Sequence, residues 1–199
     1  LWILSGAFLQ ALTADISTTG TCFVINVSHV VVNGSGFTIT GNDTDHGFNI
    51  TGFNNTTIKN VIFHNFSLGG FITGSVNNTV YNNTINDTGS DGLQLVSSAD
   101  FNNITENTFT NIDTSSRAME IETSNNTIDG NNVNMPGTIA IRLQGGSSNN
   151  ISNNILNVTN AGGSSQVILI TSAADDNIIL NNTIVAPNGA NFYGIEVAG

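Results

Sequence analysis

The sequence predicts an all-β solenoid of about seven to eight coils, each made of three short strands, and three observations carry that prediction. A short aliphatic strand returns at Ile25, Ile50, Ile72, Leu95, Ile121, Leu143, Leu169 and Val197, at intervals of 22 to 28 residues, the period at which a chain buries its core by stacking one coil on the next. Two further apolar positions follow each return, so every coil has three sides. Asparagines recur at fixed offsets from the second of these positions, as a stacked ladder of side-chain amides requires.

The chain opens with Leu1 to Leu12, which is apolar, about a dozen residues long and without a basic flank. That is too short to span a membrane as a helix, and it lacks the charged start of a signal peptide. Trp2, Ile3, Leu4, Phe8 and Leu9 make it an apolar plug. Residues 1–21 are therefore expected to form an N-terminal cap or assembly segment, with the solenoid running from 22 to 199 as one continuous domain. The missing initiator Met is read as a processed or trimmed start, which favours export. Cys22 is the only cysteine, so it has no internal disulfide partner, and a buried thiol is the expectation.

From there each coil begins with alternation: Gly47-Phe48-Asn49-Ile50-Thr51, Gly92-Leu93-Gln94-Leu95-Val96, Ala118-Met119-Glu120-Ile121-Glu122, Ala140-Ile141-Arg142-Leu143-Gln144. A period of two marks strands with one buried face. Phe48 and Ile50, Leu93 and Leu95, Met119 and Ile121, Ile141 and Leu143, and Val167 and Leu169 are expected to point inward as two apolar columns. A second side follows at Val32, Ile58, Val80, Ile104, Ile128, Ile151 and Ile179, and a third at Phe63, Ile85, Phe109, Val133, Leu156 and Ile184. No coil carries a run of helix formers at helical spacing, and β-branched residues dominate the inward positions.

Two residues before the second side stand Asn78, Asn102, Asn126, Asn149 and Asn177, and three residues after it stand Asn83, Asn107, Asn131, Asn154 and Asn182. Stacked about 4.8 Å apart, such amides can donate to one neighbour and accept from the other, and Asn also tolerates the left-handed backbone that a tight corner needs.

The recurring Asn-Asn-Thr-Ile phrase, as at Asn125-Asn126-Thr127-Ile128 and Asn181-Asn182-Thr183-Ile184, resembles the right-handed parallel β-helix repeat proteins, including NosD-like and archaeal cell-surface members. The entry segment Cys22-Phe23-Val24-Ile25 followed by Val30 to Gly41 carries the same resemblance. It implies a right-handed single-stranded parallel β-helix over nearly the whole chain. Its relatives include sugar-active enzymes, copper-maturation proteins and surface proteins, so it implies the fold more narrowly than the activity.

Charge narrows the partners. The formal net charge is -11, with Lys59, Arg117 and Arg142 as the three basic residues, so phosphate-rich nucleic acid and anionic membranes are repelled. The outward charged cluster comprises Glu120, Glu122 and Arg142, with Gln94 on the same face and Asp91, Asp113 and Arg117 in nearby loops. Sugar-cleaving sites divide acid and base roles between such carboxylates. Glu120 and Glu122 nevertheless read first as a solvated pair bridged by Arg142, with no third carboxylate beside them. If the chain is an enzyme, it is a glycoside hydrolase or polysaccharide lyase.

His29, His46 and His64 fall on different coils without a soft partner, and Asp43 with Asp45 or Asp175 with Asp176 lack the spacing of a calcium loop. No metal and no cofactor is expected. Fifteen Asn-x-Ser/Thr sequences occur, among them the candidate N-glycan acceptors Asn26, Asn49, Asn77, Asn82, Asn103, Asn125, Asn157 and Asn181, and none of the ten ladder asparagines is one.

The chain stops inside an inward-patterned strand that contains Ile195 and Val197, which is read as an uncapped surface. Together with Trp2, Ile3, Leu4, Phe8 and Leu9, these two residues are the candidate assembly contacts. The resulting expectation is an extracellular or cell-surface structural β-solenoid, N-glycosylated and self-associating head-to-tail or laterally into a layer, sheath or filament. The alternative is a carbohydrate-binding or polysaccharide-cleaving solenoid that uses the Glu120, Glu122 and Arg142 face.

Overall fold

The computed structural model describes residues 2–4, 9–137, 139–159, 165–172, 174–185 and 192–198. Three parallel sheets run the length of the molecule, and each coil contributes one strand to each sheet. Sheet A stacks β1 (Trp2–Leu4), β4 (Phe23–Ile25), β7 (His46–Thr51), β10 (Leu68–Thr73), β13 (Leu93–Val96), β16 (Arg117–Ile121), β19 (Ile139–Gln144), β22 (Ser165–Thr171) and β25 (Phe192–Ala198). Sheet B stacks β2 (Leu9–Ala11), β5 (Val31–Asn33), β8 (Thr57–Lys59), β11 (Thr79–Tyr81), β14 (Asn103–Thr105), β17 (Thr127–Asp129), β20 (Asn150–Ser152) and β23 (Ile178–Leu180). Sheet C stacks β3 (Ile16–Ser17), β6 (Thr38–Thr40), β9 (Ile62–Phe66), β12 (Thr84–Thr88), β15 (Thr108–Ile112), β18 (Asn132–Met135), β21 (Ile155–Val158) and β24 (Thr183–Val185).

Within the segment expected to cap the solenoid, β1, β2 and β3 pair in parallel with β4, β5 and β6. These residues supply the first rung of each sheet.

Inward residues stack in columns, since parallel in-register pairing places each side chain over its counterpart one coil on. In sheet A the column Phe23, Phe48, Gly70, Leu93, Met119, Ile141 and Ile168 follows directly from the pairing register. Glycine at position 70 is required by its neighbour: a Cβ there would lie 2.2 Å from Cζ of Phe48. Phe48 also tilts against Phe63 of sheet C at 5.5 Å between ring centroids, which joins two sheets through one aromatic contact.

One inward assignment is corrected. Ile141 pairs with Ile168 and Leu143 with Ile170, so Leu169 lies beside Arg142 on the outer face while Ile168 and Ile170 point inward. Val167-Ile168-Leu169-Ile170 is apolar at every position and gives alternation no phase. The register of the neighbouring strand decides it.

Both asparagine ladders are present. The backbone N–H of each rung donates to Oδ1 of the next, from Asn78 through Asn102, Asn126 and Asn149 to Asn177, with each bond 2.8 Å long. The second ladder runs from Asn83 through Asn107, Asn131 and Asn154 to Asn182. Side-chain amides add to it: Nδ2 of Asn107 donates to the Val80 carbonyl at 2.8 Å and to Oδ1 of Asn131 at 3.0 Å. The ladders satisfy backbone groups that a corner would otherwise bury without partners.

The left-handed corner residue is the one before each ladder asparagine. Asn77, Phe101, Asn125, Ser148 and Asp176 have φ between 55 and 59° at the first corner. Asn82, Glu106, Gly130, Asn153 and Asn181 are left-handed at the second. In the Asn-Asn-Thr phrase, then, the first Asn turns the corner and the second ties the coils together.

Candidate functional site

The outer face of sheet A holds the charged cluster. Pairing places Val24, Asn49, Phe71, Gln94, Glu120, Arg142, Leu169 and Glu196 in one column along the solenoid. With rungs about 4.8 Å apart, Phe71, Gln94, Glu120 and Arg142 form a strip about 14 Å long. His46 leans on Phe71, with centroids 5.6 Å apart, and extends the strip sideways.

Glu120 departs from its expected solvated state. It is only 3% exposed. Nε of Arg142 donates to Oε1 of Glu120 at 2.7 Å, and Nε of Arg117 lies 3.3 Å from Oε2 as an ion pair. Arg142 also donates through Nη2 to Oε1 of Gln144. The two arginine stems cover the carboxylate that alternation alone would leave in water. Burial pushes the Glu120 carboxyl above its ordinary value, against the opposing pull of Arg142 and Arg117.

Asp91 is the third carboxylate that the sequence reading placed in a loop and not beside the pair. It is 2% exposed. Its Oδ1 accepts the Arg117 backbone N–H at 2.8 Å and lies 3.6 Å from Nη1 of Arg117, while Oδ2 accepts from Nε2 of Gln94 at 2.9 Å. Asp91, Arg117, Glu120 and Arg142 therefore balance two negative charges against two positive ones, while Oε2 of Glu120 is buried beside Arg117 without a hydrogen-bond partner. Glu122 follows the end of β16 and is exposed, and its side chain makes no hydrogen bond among the described residues. Asp113 lies outside the cluster, its carboxyl held below its ordinary value by the Ser115 hydroxyl and backbone N–H.

This constellation suits recognition better than proton transfer. A general acid or base needs an oxygen exposed to the substrate, and Glu120 and Asp91 are 3% and 2% exposed. What faces solvent is an aromatic ring, planar amides and a guanidinium in a row. The sequence pattern marks the outward positions but carries no sign of their mutual burial: Arg117, expected in a loop, is the first residue of β16 and pairs with Glu120 three residues on, and Asp91 joins the cluster through Arg117 and Gln94.

The other candidates are dispersed. Nδ1 of His64 lies 3.1 Å from Oδ2 of Asp87, and His29 sits exposed at a left-handed position. Among the described residues no group of three or more His, Cys, Asp or Glu side chains is placed to hold a metal ion. Among the described residues no helix is long and apolar enough to cross a membrane. Cys22 is fully buried, and burial pushes its thiol up to about 12.

The candidate acceptors Asn26, Asn77, Asn82, Asn103, Asn125 and Asn181 are exposed, while Asn49 and Asn157 are half-buried. Of the candidate assembly residues, Trp2, Ile3 and Leu4 lie in β1 and Leu9 in β2, and Phe8 lies outside the described residues. Ile195 and Val197 occupy β25 with 47% and 74% exposure.

An open groove of about 510 Å³ lies away from sheet A, at the corner between sheets B and C. Asn33, Asn60 and Asn82 line it as an outer amide row, Asn60 donating to Asn33 at 2.9 Å and Asn82 to Asn60 at 2.8 Å.

Comparison with known proteins places these features in context. A family model described as "Right handed beta helix region" matches residues 15–134. DFA-IIIase from Arthrobacter chlorophenolicus, solved without its lid, superposes with a TM-score of 0.55 at 16% identity, covering 87% of this chain and 54% of that one. The same enzyme in complex with GF2 gives 0.56 at 15% identity, covering 85% and 51%. A tailspike protein of Escherichia coli bacteriophage HK620, in complex with a pentasaccharide, gives 0.57 at 10% identity, covering 100% and 51%. The chain spans about half the length of these structures, and the likeness is one of fold. No curated protein matches it.

Proposed function

The chain belongs to the right-handed β-helix family, and from that premise we propose that it is an extracellular or cell-surface solenoid whose sheet A face binds neutral saccharide chains. The observation that carries this reading is the column Phe71, Gln94, Glu120 and Arg142, in which an aromatic ring precedes planar polar groups whose orientation is fixed by the buried ion-pair cluster. Pyranose rings present an apolar face to an aromatic side chain and hydroxyls to planar hydrogen-bonding groups. The net charge of -11 disfavours polyanionic glycans. Solved neighbours of the same fold include one in complex with a pentasaccharide, which agrees with this reading.

Binding is proposed without cleavage, since Asp91 and Glu120 are 2% and 3% exposed and are ion-paired to Arg117 and Arg142. The test is a panel of neutral and acidic polysaccharides assayed for retention and hydrolysis with wild type, Phe71→Ala and Glu120→Gln. Retention of a neutral polymer that Phe71→Ala abolishes supports the reading. Hydrolysis lost in Glu120→Gln would replace it with an enzyme, and no retention of any polymer would remove it.

A structural role in a layer, sheath or filament is the second reading, and a change along sheet B favours it. The outward column Thr57, Thr79, Asn103, Thr127 and Asn150 ends at Ile178, and the column Lys59, Tyr81, Thr105, Asp129 and Ser152 ends at Leu180. Ile178 and Leu180 are more than half exposed, with Ile155 and Val185 exposed nearby on sheet C. Such a patch on a polar solenoid suits lateral self-association. Sedimentation showing an assembly that Ile178→Asp with Leu180→Asp disperses would support it, and a monomer at all concentrations would not.

A further inference from the structure

Phe101 is the anomaly among the corner residues. It is 55% exposed and left-handed, with φ of 58°. A bulky side chain rarely adopts that backbone unless its surroundings hold it there, and the equivalent corners on other coils carry Asn55, Asn77, Asn125, Ser148 and Asp176. Neither packing nor local hydrogen bonding accounts for an aromatic ring here, since most of it faces solvent.

Its neighbours share one chemistry. The register Thr79, Asn103, Thr127 places Asn77 one coil before Phe101 and Asn125 one coil after it. Each is about 4.8 Å away along the stack. Asn77 begins Asn77-Asn78-Thr79 and Asn125 begins Asn125-Asn126-Thr127, so both are acceptor sequences for N-linked sugar. Both are exposed, and among the described residues neither side chain makes a hydrogen bond. Among the other candidate acceptors, Asn82 and Asn157 have the amide nitrogen committed, donating to Asn60 and Asn134 respectively. Asn78 and Asn126, one residue on, are buried in the ladder. Modification at Asn77 or Asn125 therefore leaves the fold's own amides untouched.

We propose that Asn77 and Asn125 are N-glycosylation sites and that Phe101, between them, is the platform on which the attached sugar packs. The chemistry is transfer from a lipid-linked oligosaccharide. The asparagine Nδ2 attacks the anomeric carbon, the carbon–oxygen bond to the lipid phosphate breaks, and a carbon–nitrogen bond forms. The phosphate leaves on the lipid, and the amide proton passes to a base of the transferase. Two coils separate Asn77 from Asn125, about 9.6 Å, which leaves room for one sugar over each side of the ring. The apolar face of a pyranose then covers an aromatic surface that is otherwise wet.

This inference rests on the export in the proposed function but not on the sheet A face. The full chain secreted from an N-glycosylating host is analysed by glycopeptide mass spectrometry, as wild type and as Phe101→Asn, which restores the common corner residue and creates no new acceptor. The expected result is sugar at Asn77 and Asn125. Enzymatic deglycosylation is then expected to lower the melting temperature of wild type by about 2–4 °C, the scale of one stacking contact in a chain of this size, with a smaller change in Phe101→Asn. A secreted chain with neither asparagine occupied overturns the sites, while saccharide retention on sheet A would stand or fall separately. Occupied sites with the same shift in both proteins overturn the platform.

Discussion

Nε of Arg142 donates a 2.7 Å hydrogen bond to Oε1 of Glu120 on the neighbouring coil, so that a carboxylate in an outward register position is 3% exposed. Burial outweighs the two guanidinium neighbours and raises the Glu120 carboxyl above its ordinary 4.5. A carboxyl raised on folding stabilises the native state below its unfolded value, and that contribution is lost as pH rises through the folded value. Wild type is thus expected to lose stability relative to Glu120→Gln as pH rises from 4.5 upward. Urea unfolding of both proteins across that range checks the slope; parallel curves would show that Glu120 does not titrate abnormally.

Interior ladder rungs should matter more than outer ones. Asn107 accepts from the Asn83 backbone N–H at 3.0 Å and donates to the Val80 carbonyl at 2.8 Å, fully buried. Asn107→Leu leaves both groups unpaired, at about 1–3 kcal/mol each. Asn182 makes equivalent bonds at a half-buried rung, where water can replace part of what is lost. Chemical denaturation is expected to place Asn107→Leu well below Asn182→Leu, and equal losses would contradict the ladder's cooperative burial.

Gly70→Ala introduces a methyl group where Phe48 already sits, 2.2 Å from Cζ. Overpacking of this kind costs about 1–3 kcal/mol. A double variant with Phe48→Leu should recover part of the loss. If the single variant melts like wild type, the aromatic column is not packed against position 70.

These positions also show how far the sequence could be read. The coil period, the apolar columns and both ladders were legible because each repeats at every turn. Leu169 was not, because four consecutive apolar residues carry no phase until β19 pairs with β22. The left-handed residue was displaced by one for a similar reason: Asn-Asn pairs supply two candidates, and only the backbone shows that Asn77 turns while Asn78 ladders. The burial of Glu120 was illegible because the residues that cover and neutralise it, Arg117 and Arg142, meet it through folding.

The buried Cys22 thiol, raised to about 12, is expected to be unreactive. The thiolate is the nucleophile and is scarce at that value. A thiol reagent at pH 8 should label the native protein far more slowly than the protein in denaturant, and equal rates would mean that the first coils are open.

A crystal structure with a bound neutral oligosaccharide tests the functional reading most directly. The reading places successive sugar units over Phe71, Gln94, Glu120 and Arg142 with a ring face against Phe71. Density confined to the Asn33, Asn60 and Asn82 groove, or absent from sheet A at saturating sugar, would contradict it.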